Sequence, residues 1–239
     1  MSTDRMLIGS INNQLVLHHA VTGELIDDID VGVFPGGICM YECGNAAVAL
    51  PDEKTVLLIS VNDEKLTIRR RLRVNGMVFD ITPSDNNLVV VYPICPWLEV
   101  ISTGGDVLHQ FKGNGETQPF QYPDCLTSTN DGYIYLADHG TSTVSQLDGR
   151  LNLLQNFTDP MLEKPRGITA VSDDQLIVCN FERSNIVLLR PSTGKMSTLL
   201  IEKDGVAMLK PMGVSYCPES KTIYVLNRYG GHILIYEKK

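Results

Sequence analysis

Residues 132–154, GYIYLADHGTSTVSQLDGRLNLL, set the pattern of the chain. An apolar run from Tyr133 to Ala137 is followed by a polar turn from Asp138 to Ser142 and an alternating stretch from Thr143 to Leu147. A second turn at Asp148-Gly149-Arg150 then precedes Leu151 to Leu154. Apolar, β-forming residues bounded by Gly, Asp and Ser predict three short strands joined by tight turns. The first run is apolar at every alternate position and its neighbours, so its strand is expected to be covered on both faces.

The same unit recurs five more times. Aligned on Asp138, the last residue before the turn, the matching positions are Ser10, Pro51, Tyr92, Asp138, Asn180 and Asn227, with separations of 41, 41, 46, 42 and 47 residues. That regularity marks an internal repeat. Each unit after the first is preceded by one more short apolar stretch: GGICMYEC, GMVFDITP, PDCLTST, RGITAVS or MGVSYCP. A complete repeat is therefore four strands, a to d. Strand a is usually approached through proline or glycine, as in Phe34-Pro35-Gly36, Tyr122-Pro123, Lys164-Pro165-Arg166-Gly167 and Lys210-Pro211-Met212-Gly213. Proline fixes the approach, and glycine lets backbones come close where innermost strands crowd an axis. Four-stranded sheets at this period predict an all-β, six-bladed β-propeller in a single domain spanning residues 1–239. The pattern yields 22 strands where six blades require 24, because the first unit begins at strand b and the last ends at strand c. Either the ring closes imperfectly or the sequence is cut from a longer chain, of which it would form the C-terminal part; the second is the expectation.

Composition adds bounds. The chain has 239 residues, 43% hydrophobic and 20% charged, with a net charge of −8. This describes an ordinary globule without a disorder-like segment. No apolar run reaches the ~18 residues of a membrane span, and the first ten residues lack the basic and apolar regions of a signal peptide. A cytoplasmic location without membrane contact is expected. Cys39, Cys43, Cys95, Cys125, Cys179 and Cys217 are then expected to be buried free thiols.

GYIYLADHGTSTVSQLD resembles the b-to-c signature of NHL repeats, and KPRGITAV resembles the stretch that leads into their strand a. The resemblance is strongest over residues 120–239. Ser10, Pro51 and Tyr92 stand where the family usually has Asp, and Thr141 and Thr143 replace the usual Asn and Arg of the turn. The relatives implied are the C-terminal propellers of tripartite-motif proteins, in which RING, B-box and coiled-coil segments precede six NHL blades. The resemblance implies a non-catalytic, protein-binding platform that selects substrates for an E3 ubiquitin ligase whose RING is absent from these residues. RNA-hairpin binding, known for some relatives, is the alternative.

Other six-bladed propellers are hydrolases or lyases with an axial metal, so the histidines matter. His18 and His19 are neighbours on one strand, His109 lies on a strand d, and His232 starts the last strand c. Only His139 sits at the level of a top-face site, and it reads as a turn histidine; Asp138 and His139 diverge as strand neighbours and form no dyad. Gly113-Asn114-Gly115 lacks the following helix of a phosphate cradle. Arg69-Arg70-Arg71-Leu72-Arg73 falls on an outer strand, where charge protects an edge from pairing. Trp97 reads as core or rim packing. No cofactor, metal or small-molecule substrate is expected.

Strand order decides which residues share a face. The a-to-b and c-to-d turns collect Asp63, Glu64, Asp85, Asp131, Asp148, Asp173, Asp174 and Glu219, so their face is acidic. The d-to-a and b-to-c connections carry Asp52, Glu53, Glu116, Asp124 and Asp138 in blades 2 to 4, but Lys164, Arg166, Arg183, Lys210 and Arg228 in blades 5 and 6. Those five cations are the candidate binding residues, suited to a carboxylate or phosphate on a protein partner. Glu163 and Glu182 lie close enough in sequence to pair with them instead. A pI near 5.1 weighs against nucleic acid, which needs a basic footprint. Replacing Arg166 and Arg183 by Glu is expected to abolish partner capture with little change in melting temperature.

Overall fold

The computed structural model describes residues 5–62, 64–112, 119–200, 202–203, 206–228 and 233–237. They form six small antiparallel sheets, the blades of a six-bladed β-propeller, with no helix among them. Two compact units divide the chain, Met1–Phe111 and Lys112–Lys239.

In the first unit, blade 1 is β1 (Arg5–Ser10), β2 (Gln14–His19) and β3 (Leu25–Asp30). Blade 2 is β4 (Ile38–Glu42), β5 (Asn45–Leu50), β6 (Thr55–Asn62) and β7 (Lys65–Arg73), and blade 3 is β8 (Asp80–Ser84), β9 (Asn87–Tyr92), β10 (Trp97–Ser102) and β11 (Val107–Lys112). In the second, blade 4 is β12 (Pro123–Ser128), β13 (Ile134–Asp138), β14 (Thr143–Leu147) and β15 (Leu153–Phe157). Blade 5 is β16 (Pro165–Ser172), β17 (Gln175–Asn180), β18 (Asn185–Arg190) and β19 (Lys195–Leu200). A two-stranded ribbon, β20 (Glu202–Lys203) and β21 (Val206–Ala207), precedes blade 6, which is β22 (Pro211–Cys217), β23 (Thr222–Asn227) and β24 (Ile233–Glu237). Blades 1 and 6 are three-stranded, as the sequence pattern predicts; the ribbon has no counterpart in that pattern.

The core lies between neighbouring sheets, and strand b explains why. In β5, Ala46, Val48 and Leu50 join Leu15 and Leu17 of blade 1, while Ala47 and Ala49 on the other face join Leu88 and Val90 of blade 3. In β17, Leu176 and Val178 pack toward blade 4, and Ile177 and Cys179 toward blade 6. A strand sandwiched in this way must be apolar on both sides. Each fully buried Val or Leu contributes about 1.5–3 kcal/mol.

Innermost strands do crowd. A Cβ on Gly37 would collide with the Asp80 carboxylate, and one on Gly167 would meet the backbone of Gly213 at 2.7 Å. Pro123, Pro165 and Pro211 open β12, β16 and β22 and are buried.

Some expectations change. Strand d of blade 4 begins at Leu153 instead of Leu151, because Asp148 accepts the amides of Arg150 and Asn152 and extends the turn, with Leu151 at φ 67°. The six cysteines are free, but only Cys179 is buried; Cys43 and Cys95 are exposed on turns, and the rest are half-buried. Cys43 follows β4 and Cys95 lies between β9 and β10, so both stand outside the strands that the neighbouring sheets cover. Trp97 packs on Tyr92, ring centroids 4.6 Å apart. The arginine run lies on exposed β7, where Arg71 pairs with Glu53. Asp63, Gly113-Asn114-Gly115, Glu116 and His232 lie outside the described residues. Among the described residues, no helix is long and apolar enough to cross a membrane.

Candidate functional site

The residue used to align the repeats is a structural clamp in the second unit. Asp138 is wholly buried, and its carboxylate accepts the amides of Gln121, Tyr122, Gly140 and Thr141 at 2.7–3.2 Å. Asn180 accepts the amide of Glu163 at 2.7 Å and donates to the Met161 carbonyl, and Asn227 accepts the amide of Leu209 at 3.3 Å. Each end-of-strand-b residue thereby fixes the loop that delivers strand a. Buried polar groups need such partners, and here backbone and side chain satisfy one another.

A second repeated bond sets two of the cations. Ser142 and Ser184, both at positive φ in the b-to-c turns, accept the amides of Lys164 and Lys210 in the next blade, at 3.0 and 3.2 Å. Each lysine directly precedes the proline that opens strand a, so the basic residues are placed by the repeat itself.

Three of the five candidate cations converge on one ring. The Arg166 guanidinium lies 4.7 Å from the Phe181 centroid, Lys210 Nζ 5.2 Å and the Arg228 guanidinium 5.8 Å. All are within cation–π range. Lys164 and Arg183 stand at the margin, about half exposed, and pair with Glu182 at 3.8 Å and Glu163 at 3.4 Å. Lys210 also bonds Glu182 at 2.8 Å, and this pair together with Lys164 holds the Glu182 carboxyl below its ordinary range. The anticipated pairing with Glu163 and Glu182 is thus present. Lys164 and Lys210 pair with Glu182, Arg183 with Glu163 and Arg166 with Asp124.

Asp124 extends this group into blade 4. It occupies a bulge in β12 and is wholly buried, with one carboxylate oxygen 3.2 Å from Arg166 Nη1 and 3.3 Å from His139 Nδ1. Neither contact is well directed: both Asp124 oxygens, His139 Nδ1 and Arg166 Nε are sealed from solvent without a hydrogen bond of good geometry. Burial pushes the Asp124 carboxyl above its ordinary range, and the opposing pull of Arg166 and His139 does not cancel it. The His139 ring meets Tyr122 edge-on at 4.6 Å, and Tyr122 is 40% exposed. The surface thus runs from an exposed tyrosine through a buried Asp–Arg pair to a phenylalanine ringed by cations.

One expectation needs correction. Arg166 is not an independent surface arginine: its side chain is 19% exposed and faces a wholly buried carboxylate. Glutamate there would set two carboxylates against each other, so the melting temperature would fall. Phe181 and the contact from Asp124 to His139 were missed from the sequence. The repeat carried a signal for them, since His139, Phe181 and Arg228 are the residues that follow the clamp in blades 4, 5 and 6, and Asp124, Arg166 and Met212 follow the proline that opens strand a. Among the described residues, no three His, Cys, Asp or Glu side chains are grouped to hold a metal ion.

No protein-family model matches the chain. Over 145 residues, 59% of its length, the chain is 23% identical to E3 ubiquitin-protein ligase NHLRC1 of Homo sapiens, a stretch that is 36% of that protein. The chain thus spans about a third of the length of this relative. Among solved structures it is similar to a streptogramin B lyase, with TM-score 0.74 and 12% identity over 100% of this chain and 81% of that one. It is also similar to hydrazine synthase of Kuenenia stuttgartiensis (TM-score 0.73, 15% identity, 99% and 75% covered) and to virginiamycin B lyase from Staphylococcus aureus (0.67, 18%, 92% and 76%). At these identities the structural likeness defines the fold class, a six-bladed β-propeller. The likeness to NHLRC1 agrees with repeats of NHL type.

Proposed function

We propose that this propeller is a non-catalytic recognition module that binds a protein partner through the cation-ringed surface of blades 4 to 6, as the substrate-selecting part of a tripartite-motif-like E3 ubiquitin ligase in the cytoplasm. The observation that carries the reading is the convergence of Arg166, Lys210 and Arg228 on Phe181. Arginine and aromatic residues are the groups that dominate binding energy at protein interfaces. Phe181 itself is buried, 8% exposed, and orders the cations from beneath, while Tyr122, 40% exposed beside His139, is the aromatic side chain open to a partner. The grouping of lysine and arginine there favours a partner segment carrying carboxylates or phosphates, which guanidinium groups bind in a fork. Support for the ubiquitin-ligase setting comes from the likeness to NHLRC1.

The test replaces Lys210 and Arg228 by Glu and leaves Arg166 intact. The double variant should lose RNase-resistant capture of a protein from cell lysate, with a melting temperature within a few degrees of the parent. Undiminished capture would refute the assignment of this surface, and RNase-sensitive capture would favour RNA as the ligand.

A further inference from the structure

The opposite face of the second unit carries a cavity that the recognition surface does not use. It measures about 300 Å³ and opens between blades 4 and 5, walled by Asp131, Asp173, Asp174, Tyr133 and Tyr135. The carboxylates come from corresponding a-to-b turns, so the repeat brings them to one mouth. Each is anchored by a neighbour: Asp131 by the Thr129 hydroxyl, Asp173 by the amide of Asn130, and Asp174 by the amide and side chain of Ser192. Those bonds hold the carboxylates in place at the mouth. No lysine or arginine lines the cavity, and on its wall Gln155 donates to Gln146, so these amides satisfy one another.

Tyr135 is the observation that turns an acidic mouth into a site. It is 1% exposed and lies tilted against Phe157, ring centroids 6.5 Å apart, yet it is among the residues lining the cavity, and no described residue gives its hydroxyl a hydrogen bond. The hydroxyl is not among the polar atoms sealed from solvent, so a group entering the cavity can reach it. Burial, then the charges of Asp131, Tyr133, Asp174 and Asp173, push its phenol well above the ordinary range, which sets the oxygen within the field of those carboxylates.

We infer that this cavity binds the cationic side chain of a partner polypeptide, with arginine favoured over lysine. Its volume lies at the low end for ligand cavities, the size for one side-chain head. The carboxylates supply the counter-charge, the half-buried Tyr133 supplies an aromatic surface for a guanidinium, and the Tyr135 oxygen accepts one of its hydrogens. The site is independent of the Phe181 surface and would bind whether or not that surface recognises a protein.

The test is a titration of the whole propeller, followed through amide NMR shifts, with the peptides acetyl-Gly-Arg-Gly-amide and acetyl-Gly-Lys-Gly-amide. The matching citrulline peptide removes only the charge. The arginine peptide should give saturable shifts at Tyr133 and Ser192 and bind at least tenfold more tightly than the citrulline peptide. Asp173→Asn combined with Asp174→Asn, which keeps an acceptor oxygen for the Asn130 and Ser192 amides, should weaken it tenfold or more. Tyr135→Phe should weaken it severalfold without lowering the melting temperature. Shifts that do not saturate, equal binding of the citrulline peptide, or unchanged binding by the double variant would overturn the inference. So would saturation of the same amides by spermidine or calcium chloride but not by the arginine peptide.

Discussion

Blades 4 to 6 and blade 3 anchor the loop before strand a with different chemistry. In blades 4 to 6 the clamp is direct, with Asp138, Asn180 and Asn227 each accepting a loop amide. In blade 3 the corresponding residue is Tyr92, whose hydroxyl donates to buried Glu99 at 2.6 Å. Glu99 also accepts from Asn75 in the loop and from Gln110 on β11. The same task is done at one remove, with an aromatic ring filling the space, and a Cβ on Gly76 would meet that ring at 2.8 Å. A compact Asp or Asn leaves the neighbouring positions open to charge, which is where His139, Asp124, Arg166 and Arg228 stand. A ring-filled blade has no such room. The cations proposed to bind a partner therefore stand in the second unit.

Removing each clamp sharpens this contrast most. Asp138→Ala leaves the amides of Gln121, Tyr122, Gly140 and Thr141 without their shared acceptor and should cost about 3–5 kcal/mol. Tyr92→Phe leaves Glu99 with two of its three donors and should cost about 1–3 kcal/mol. Urea denaturation of both variants measures the difference, and equal losses would break the comparison.

Next in size is Arg166→Ala, which strips the buried Asp124 of its closest cation and should cost about 3 kcal/mol at neutral pH. The pH dependence carries a sign that can be checked. The folded-state Asp124 carboxyl titrates above its ordinary range, so the folded chain holds that proton more tightly than the unfolded chain. Its contribution to stability falls as pH rises through the folded-state pKa. The gap between parent and Arg166→Ala should therefore narrow as pH is lowered into the carboxylate range. A gap independent of pH would show that Asp124 is not the group exposed by the substitution.

The smallest effect concerns thiols. Burial holds the Cys39 and Cys179 thiols far above their ordinary range, whereas Cys43 and Cys95 are exposed. A thiol reagent applied to native protein should modify Cys43 and Cys95 within minutes and leave Cys179 unmodified until unfolding. Rapid modification of Cys179 would mean that blades 5 and 6 open readily.

The fold was legible because its determinants are local. Runs such as NLVVVY and QLIVCN announce doubly covered strands, and Pro165 with Gly167 announces a crowded inner strand. The site was legible only in part. Lys164, Arg166, Lys210 and Arg228 were assigned to one face from strand order alone, but the pairing of Arg166 with Asp124 joins residues in different blades, and no local pattern encodes it. Phe181 reads in sequence as the first residue after a strand; its role follows from three cations brought to it from β16, the loop before β22 and the end of β23. The aspartates of the a-to-b turns read in sequence only as an acidic face, and the packing of blades 4 and 5 encloses a cavity between them.

The central claim is that partner recognition resides in the second unit's polar blades. A photo-crosslinking residue placed at Tyr122, beside His139, can be compared directly with one at Leu108, which is 45% exposed on β11 of the first unit. Irradiation in cell lysate should yield a discrete, RNase-resistant protein adduct from position 122, lost when Lys210 and Arg228 are replaced by Glu, and none from position 108. Adducts from position 108 alone, or adducts from 122 that disappear with RNase, would contradict the account.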